Sequence, residues 1–254
     1  MSRNDSKIIP GAGPFYFEGN KIGVLMIHGG GGGTCADLKP LAEDLHKISS
    51  YTIYIPLLPG YGTTPKDLRF VAIDDWKATI RYEIDKLTEK CEKIIVGGHS
   101  MGGVLTLILA SKILLDGIFT ISAPIGIKRF AARLVPFFKL FIKYYSVGKE
   151  KFEKETNGKW VGYSKIPLNI ATKMKKLIKE MKDTLPKVEC PTLLLQGRLD
   201  SDIKTQSMDE IYNRINSKDK RKIWLENNDH PILNSPDHQQ IVLELNNFII
   251  NICN

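Results

Sequence analysis

The segment Gly98-His99-Ser100-Met101-Gly102 places a serine between two glycines, each two residues away. A short apolar run at residues 93–96 comes before it, and an apolar segment of helical character begins at Met101. Between a strand and a helix this pattern predicts a sharp turn that exposes the serine hydroxyl, because the glycines leave room for the turn. The free N–H groups of the helix N-terminus would favour a developing negative charge. Ser100 is therefore the predicted nucleophile.

A serine hydroxyl is a weak nucleophile near neutral pH, so a base must accept its proton. Histidine is the side chain whose ordinary pKa lies closest to that range. His230 follows the apolar run 222–225 and precedes the last helical segment, so it is expected at the carboxyl edge of a sheet, where ligands bind. His28 ends the first apolar run, and His99 is expected to point away from its serine neighbour. His230 is the predicted base.

A carboxylate has to hold the imidazole in the right tautomer and stabilise its protonated form. Asp200 follows the apolar run 192–196 and is expected at the same sheet edge as the other two groups. Asp202, two residues later, is the alternative. We therefore predict Asp200 as the acid.

The run His28-Gly29-Gly30-Gly31-Gly32-Gly33 follows the first apolar run of the chain. Glycines allow the backbone to turn tightly and to approach a ligand closely. We predict that the N–H groups of Gly30 and Met101 form an oxyanion hole. A phosphate-binding loop is the alternative, but neither a following Gly-Lys-Ser/Thr nor a dinucleotide-binding fingerprint accompanies the glycines.

Short apolar runs alternate with longer segments of helical periodicity along most of the chain. This alternation predicts a doubly wound, mostly parallel sheet covered by helices on both faces. The predicted strands are residues 22–27, 52–58, 93–96, 118–122, 192–196 and 222–225, and the predicted helices are residues 36–48, 74–89, 101–115, 205–215 and 236–250.

Residues 125–187 interrupt this alternation. The segment is far longer than the usual connection between a helix and a strand, which has only two to six residues. We predict a helical cap inserted between two parts of one core, residues 1–124 and 188–254. Packing against the main sheet and docking on a membrane surface are alternatives for its amphipathic helices, predicted over residues 129–145 and 167–181. As a cap, the segment would provide an acyl pocket built from Phe137, Phe138, Phe141 and Tyr145.

The net charge of +8 is concentrated in this segment, which holds 16 lysines and arginines against 5 acidic residues. Such an excess can attract an anionic substrate, a membrane surface or nucleic acid. Because no nucleic-acid motif accompanies it, we expect no nucleic-acid partner.

The four cysteines lack CxxC or metal-ligand spacing, which predicts free thiols and no metal site. The N-terminus lacks the apolar stretch of a secretory signal, so a cytoplasmic protein is expected.

Seven motifs are spread over nearly the whole chain. They are VLMIHGG, LLPGYGTTP, DDW, GGHSMGG, SAP, GRLD and NDHPI, at residues 24–30, 57–65, 74–76, 97–103, 122–124, 197–200 and 228–232. Taken together, these motifs resemble bacterial carboxylesterases of the α/β-hydrolase superfamily, close to the monoacylglycerol lipases.

The resemblance implies an α/β-hydrolase fold with a cap inserted after strand 6 and the chain order Ser, Asp, His for the triad. It also implies a small ester substrate with an apolar acyl chain and no cofactor. We expect a monomer or homodimer. Because this superfamily also includes thioesterases and acyltransferases, these activities are alternatives, as is a non-catalytic binding protein that has kept the fold.

Overall fold

The computed structural model describes residues 7–128, 143–146, 156 and 158–253. Their main feature is a seven-stranded sheet. Its strands are β1 Phe15–Phe17, β2 Ile22–Ile27, β3 Thr52–Ile55, β4 Lys93–His99, β5 Gly117–Ile121, β8 Thr192–Gly197 and β9 Lys220–Leu225. Their order across the sheet is β1-β3-β2-β4-β5-β8-β9. All neighbours are parallel except the edge strand β1, which pairs antiparallel with β3.

Helices cover both faces of this sheet. They are α1 Lys39–Ser49, α2 Pro65–Phe70, α3 Ile73–Thr88, α4 Met101–Ala110, α5 Asn169–Thr184, α6 Ser207–Arg214 and α7 His238–Cys253. Helices α3, α4, α5 and α6 share one apolar cluster with one face of the sheet, and α1 and α7 share a second cluster with the other face. Within the described residues, none of the helices combines the length and the apolar character needed to cross a bilayer.

The predicted doubly wound, mostly parallel sheet is confirmed. Its inner strands read as nearly continuous apolar runs because helices bury both of their faces. The chain leaves β2 for β3 on one side and later returns to β4 on the other. The loops that follow β2 and β4 therefore diverge, and they open a crevice of the kind in which α/β proteins bind ligands.

The edge strand of the main sheet and the short helix after β3 were not predicted from the sequence. β1 has only three residues and is an edge strand, too short for an alternating pattern to be recognised. Helix α2 has six residues, too few for helical periodicity, although Thr64 and Pro65 provide an N-terminal cap and a favourable first position. The Thr64 hydroxyl accepts a hydrogen bond from the Asp67 N–H at 3.2 Å.

The segment predicted as a cap follows β5 and is described only in part. The helix predicted over residues 129–145 is wrong at its end, because Tyr144–Ser146 form strand β6 and pair antiparallel with β7, Lys165–Pro167. Phe137, Phe138 and Phe141 lie outside the described residues.

Helix α5, in the second half of that segment, packs directly on α4. Leu177 and Met181 are fully buried in the same apolar cluster as the core helices. The Glu180 carboxylate accepts hydrogen bonds from Lys77 at 2.6 Å and from Lys112 at 2.8 Å. The Lys173 ammonium donates to backbone carbonyls at the end of α2. A division between core and cap at residues 125 and 187 remains a prediction.

The burial of α5 leads to a stability prediction. Leu177→Ala removes a fully buried side chain, and we expect a loss of about 2–5 kcal/mol in the free energy of unfolding. The neighbouring exposed Lys176→Ala is the matched control and should change it by less than about 0.5 kcal/mol. Urea unfolding measures both. Equal, small effects would mean that α5 does not stabilise the fold.

Candidate active site

Ser100 lies on the turn between β4 and α4, in a backbone conformation that residues other than glycine rarely adopt. Its φ is 53° and its ψ is −115°. Such a conformation costs roughly 1–3 kcal/mol and persists only where the surroundings enforce it. Here the Ser100 N–H donates to the carbonyl of Ile121 at 2.8 Å, which ties the turn to the end of β5.

Close backbone approach explains the glycines on either side of this turn. A Cβ on Gly102 would lie 2.0 Å from the carbonyl oxygen of Ile27. A Cβ on Gly98 would lie 2.5 Å from the carbonyl carbon of Gly102 and 2.7 Å from the same Ile27 oxygen. Any side chain at either position would therefore push α4 away from the sheet and move the serine.

A continuous chain of hydrogen bonds joins the three residues that the sequence predicts as nucleophile, base and acid. His230 Nε2 is 3.0 Å from Ser100 Oγ, and His230 Nδ1 is 2.8 Å from Asp200 Oδ2. With Nδ1 donating to the carboxylate, Nε2 is free to accept the serine proton. The sheet brings all three groups to the carboxyl ends of β4, β8 and β9.

The Asp200 carboxylate is only 3% exposed and is fully engaged. Its second oxygen, Oδ1, accepts the backbone N–H groups of Asp202 at 3.0 Å and Ile203 at 3.1 Å. Burial by itself would raise the pKa of Asp200, but the hydrogen bond and charge of His230 and these two N–H groups together hold it below its usual value. Asp202, the alternative acid, thus supports Asp200 through its backbone, and Asp200 is the carboxylate that contacts the imidazole.

Side chains that were given no role from the sequence hold the main chain of His230. The His99 ring packs beside the predicted base: its centroid lies 5.1 Å from that of the His230 ring, and its Nε2 donates to the His230 carbonyl at 2.9 Å. Asp229 Oδ1 accepts the N–H groups of His230 at 2.7 Å and Ser201 at 2.8 Å. Burial lowers the pKa of His99 to about 3, so this ring stays neutral beside His230.

The glycine loop after β2 faces the serine turn. Gly30 lies against Met101, since a Cβ on Gly30 would be 2.7 Å from Met101 Sδ. Met101 is the first residue of α4, where backbone N–H groups have no acceptor within the helix. Both predicted oxyanion donors therefore belong to adjoining residues at the wall of the crevice.

A pocket of about 320 Å³ opens onto Ser100 and His230, and Gly30 and Met101 also line it. Tyr145 of the predicted acyl pocket is part of its wall. Most of the remaining wall is apolar and comes from residues that were not predicted, because their helical or loop positions gave no signal of facing a ligand. They include Ile127, Leu168, Ile170, Met174, Ile232 and Leu233.

No cluster of three or more metal-ligating side chains occurs among the described residues. The four cysteines are free thiols, of which Cys35 and Cys91 are buried.

The chain is similar to known proteins over most of its length. Residues 19–237 match the model of the family described as Serine aminopeptidase, S33. The chain is 32% identical to a thermostable monoacylglycerol lipase of Bacillus sp. (strain H-257) over 236 residues, 92% of this chain and 93% of that protein. It is 30% identical to a carboxylesterase of Bacillus subtilis (strain 168) over 224 residues, 86% and 88% of the two chains.

A solved structure described as LipS and LipT, two metagenome-derived lipolytic enzymes, is also similar. It has a TM-score of 0.87 and 29% identity to this chain, and the match covers 96% of this chain and 100% of that one. The α/β-hydrolase fold expected from the sequence is thus confirmed.

The crowding at the serine turn can be tested with a pair of glycine substitutions. Gly102→Ala forces its new methyl group into the Ile27 carbonyl, and we expect a loss of about 1–3 kcal/mol in the free energy of unfolding. Gly31→Ala adds the same methyl group where nothing lies within 4 Å, and it should cost less than about 1 kcal/mol. If denaturant unfolding finds the two variants equally stable, close packing does not explain Gly102.

The buried His28 leads to a pH prediction. Burial lowers its pKa from 6.5 to about 4. Since the folded pKa is the lower one, the unfolded chain binds more protons between these values, and stability is full above pH 6.5 and falls toward pH 4. One pH unit of difference corresponds to about 1.4 kcal/mol, so His28 contributes a fall of roughly 3 kcal/mol.

His28→Asn should therefore reduce the fall in the free energy of unfolding between pH 6.5 and pH 4, even if the variant is less stable at pH 7. Urea unfolding of both proteins at pH 7 and pH 4.5 gives the two slopes. Parallel slopes would show that His28 is not the group that titrates.

Proposed function

This chain belongs to the family described as Serine aminopeptidase, S33, whose model it matches over most of its length, and we propose that within this family it is a serine carboxylic ester hydrolase. The observation that carries the proposal is the hydrogen-bonded chain from Asp200 through His230 to Ser100, beside an apolar pocket. Relatives about 30% identical along most of the chain are a monoacylglycerol lipase and a carboxylesterase, which supports the same chemistry.

In the first half of the proposed reaction, His230 Nε2 accepts the proton of Ser100 as Oγ attacks the ester carbonyl. The ionised Asp200 stabilises the imidazolium that forms. The N–H groups of Gly30 and Met101 donate to the tetrahedral oxyanion. When the tetrahedral intermediate collapses, the alcohol leaves with the proton from His230, and the acyl group stays on the serine.

In the second half, water takes the place of the alcohol. His230 removes a proton from this water, which attacks the acyl-enzyme, and the same oxyanion donors stabilise the second tetrahedral intermediate. The acid is released, and Ser100 recovers its proton from His230. No cofactor is needed, because every proton is passed between the substrate, water and this histidine.

The pocket favours esters with an apolar acyl chain. Its volume of about 320 Å³ is near the lower end of the usual range for small-molecule sites, roughly 300–1,000 Å³. One short or medium acyl chain with a small alcohol, as in a monoacylglycerol, suits that size. The acyl wall includes Tyr145 and is completed in this proposal by Phe137, Phe138 and Phe141.

The wider setting of the enzyme is also a proposal. The basic excess of residues 125–187 suits contact with an anionic lipid surface. We propose a cytoplasmic monomer or homodimer in which residues 125–187 cap a core formed by residues 1–124 and 188–254.

The roles of the triad can be tested with p-nitrophenyl esters of increasing acyl length. Ser100→Ala should lower turnover by about 10⁴ to 10⁶, and Asp200→Asn by about 10⁴, because the imidazole then loses its ionised partner. Asp202→Asn is the matched control for the acid and should stay within about tenfold of the unmodified protein. A larger loss in Asp202→Asn than in Asp200→Asn would reverse the assignment of the acid.

A fluorophosphonate probe tests the nucleophile independently of the substrate. The unmodified protein should be labelled at Ser100, and Ser100→Ala should not be labelled. Addition of glycerol or a thiol to the ester assay would reveal an acyltransferase, because the acyl group would then pass to the added acceptor. Ester hydrolysis by Ser100→Ala at an undiminished rate contradicts the mechanism.

A further inference from the structure

The loop that carries the Gly30 donor is a run of five glycines, Gly29–Gly33. Glycine has more conformational freedom than any other residue, so such a loop does not fix the direction of an N–H group by itself. An oxyanion donor is effective only when it already points to where the negative charge will develop. Groups outside the run must therefore hold the peptide planes on both sides of Gly30.

His28 holds the first of these planes. Its Nδ1 donates to the Gly29 carbonyl at 2.9 Å, and its Nε2 accepts the Leu58 N–H at 3.2 Å. In a trans peptide the C=O and the following N–H point in opposite directions. With the Gly29 carbonyl fixed on the buried imidazole, the Gly30 N–H points away from it.

Tyr61 holds the second plane. Its hydroxyl donates to the Gly30 carbonyl at 3.2 Å and lies 3.8 Å from Met101 Sδ. One hydroxyl group thus contacts both residues whose N–H groups are the proposed oxyanion donors. Tyr61 is 1% exposed and does not line the pocket, so a substrate does not reach it.

The Tyr61 ring is itself fixed from two sides. It meets the His28 ring edge to face, with centroids 4.9 Å apart, and the Trp76 ring at 5.9 Å. The Trp76 indole N–H donates to the Pro59 carbonyl at 2.9 Å, which anchors it to the loop that carries Tyr61. Because the surroundings are apolar, burial raises the pKa of Tyr61, and its hydroxyl remains a donor throughout the working pH range.

We propose that Tyr61 is a positioning residue for the oxyanion hole: its hydroxyl fixes the Gly30 carbonyl against Met101 and so keeps the two backbone donors of a flexible glycine loop in register. This inference rests on the proposed ester hydrolase function. The hydroxyl touches no reacting atom, so its removal leaves substrate binding intact and weakens only the interactions that develop with the oxyanion.

The test compares two buried tyrosines that each lose one hydroxyl. Tyr61→Phe keeps the aromatic packing and removes the hydrogen bond to Gly30. Tyr51→Phe is the matched control, because Tyr51 is 3% exposed, donates to Asn246 Oδ1 at 3.1 Å, and packs in the apolar cluster on the other face of the sheet. Both variants are checked for folding by thermal unfolding and then assayed with a p-nitrophenyl ester.

We expect Tyr61→Phe to lower kcat by about tenfold, with KM within about twofold, since complete loss of an oxyanion donor costs about 10² to 10³ and this change only loosens one. Tyr51→Phe should keep both constants within about twofold. A purely structural effect would not separate kcat from KM in this way.

An alkyl trifluoromethyl ketone provides the second readout. Ser100 Oγ adds to its carbonyl carbon, the serine proton passes to His230, and the carbonyl oxygen becomes an oxyanion without any leaving group. Its inhibition constant should rise in Tyr61→Phe by about the same factor as kcat/KM falls, and it should be unchanged in Tyr51→Phe.

The proposal is overturned if Tyr61→Phe keeps the kcat of the unmodified protein, if its KM rises in place of the fall in kcat, or if the ketone binds equally well. Failure of the underlying function is a different result: the unmodified protein would then show no ester hydrolysis, or Ser100→Ala would hydrolyse the ester as fast as the unmodified protein does.

Discussion

The chemistry of this protein depends on one constraint: the carboxyl ends of three parallel strands lie at the same edge of the sheet. Ser100 and His230 are 130 residues apart in the chain, yet their side chains are separated by only 3.0 Å. No local turn could bring them together. Because β4, β8 and β9 run in the same direction, the loops that leave their carboxyl ends meet above the same edge. The apolar layers on both faces of the sheet hold the strands in this order.

This constraint explains why the sequence could predict that Ser100, Asp200 and His230 lie close together. Ser100, Asp200 and His230 each follow an apolar run that is recognisable as a strand, and parallel strands joined by helices leave few alternatives for where their ends lie. The position of each residue relative to its strand was thus sufficient, even though the strand ends were predicted only to within a few residues. Strand β2, Ile22–Ile27, was predicted at its observed bounds because all but the first of its residues are buried.

The supporting contacts could not be predicted, because they depend on how loops fold back on one another. The bond from His99 to the His230 carbonyl joins residues 131 positions apart, and it requires a particular rotamer and tautomer. Tyr61 contacts Gly30 only because the loop that follows β3 packs against the glycine run. Strand β1 and helix α2 escaped prediction for another reason, since elements of three and six residues are too short to show periodicity.

The two faces of helix α5 are not independent. Ile170 and Met174 belong to the buried cluster that ties α5 to α4, and the same two side chains form part of the wall that faces Ser100. Trimming either one to admit a bulkier acyl group would also leave a void in the packing between these helices. Substitutions at these two positions that admit a broader range of esters therefore lower the thermal stability of the protein. Evolution of a wider pocket would have to restore the lost packing at other positions.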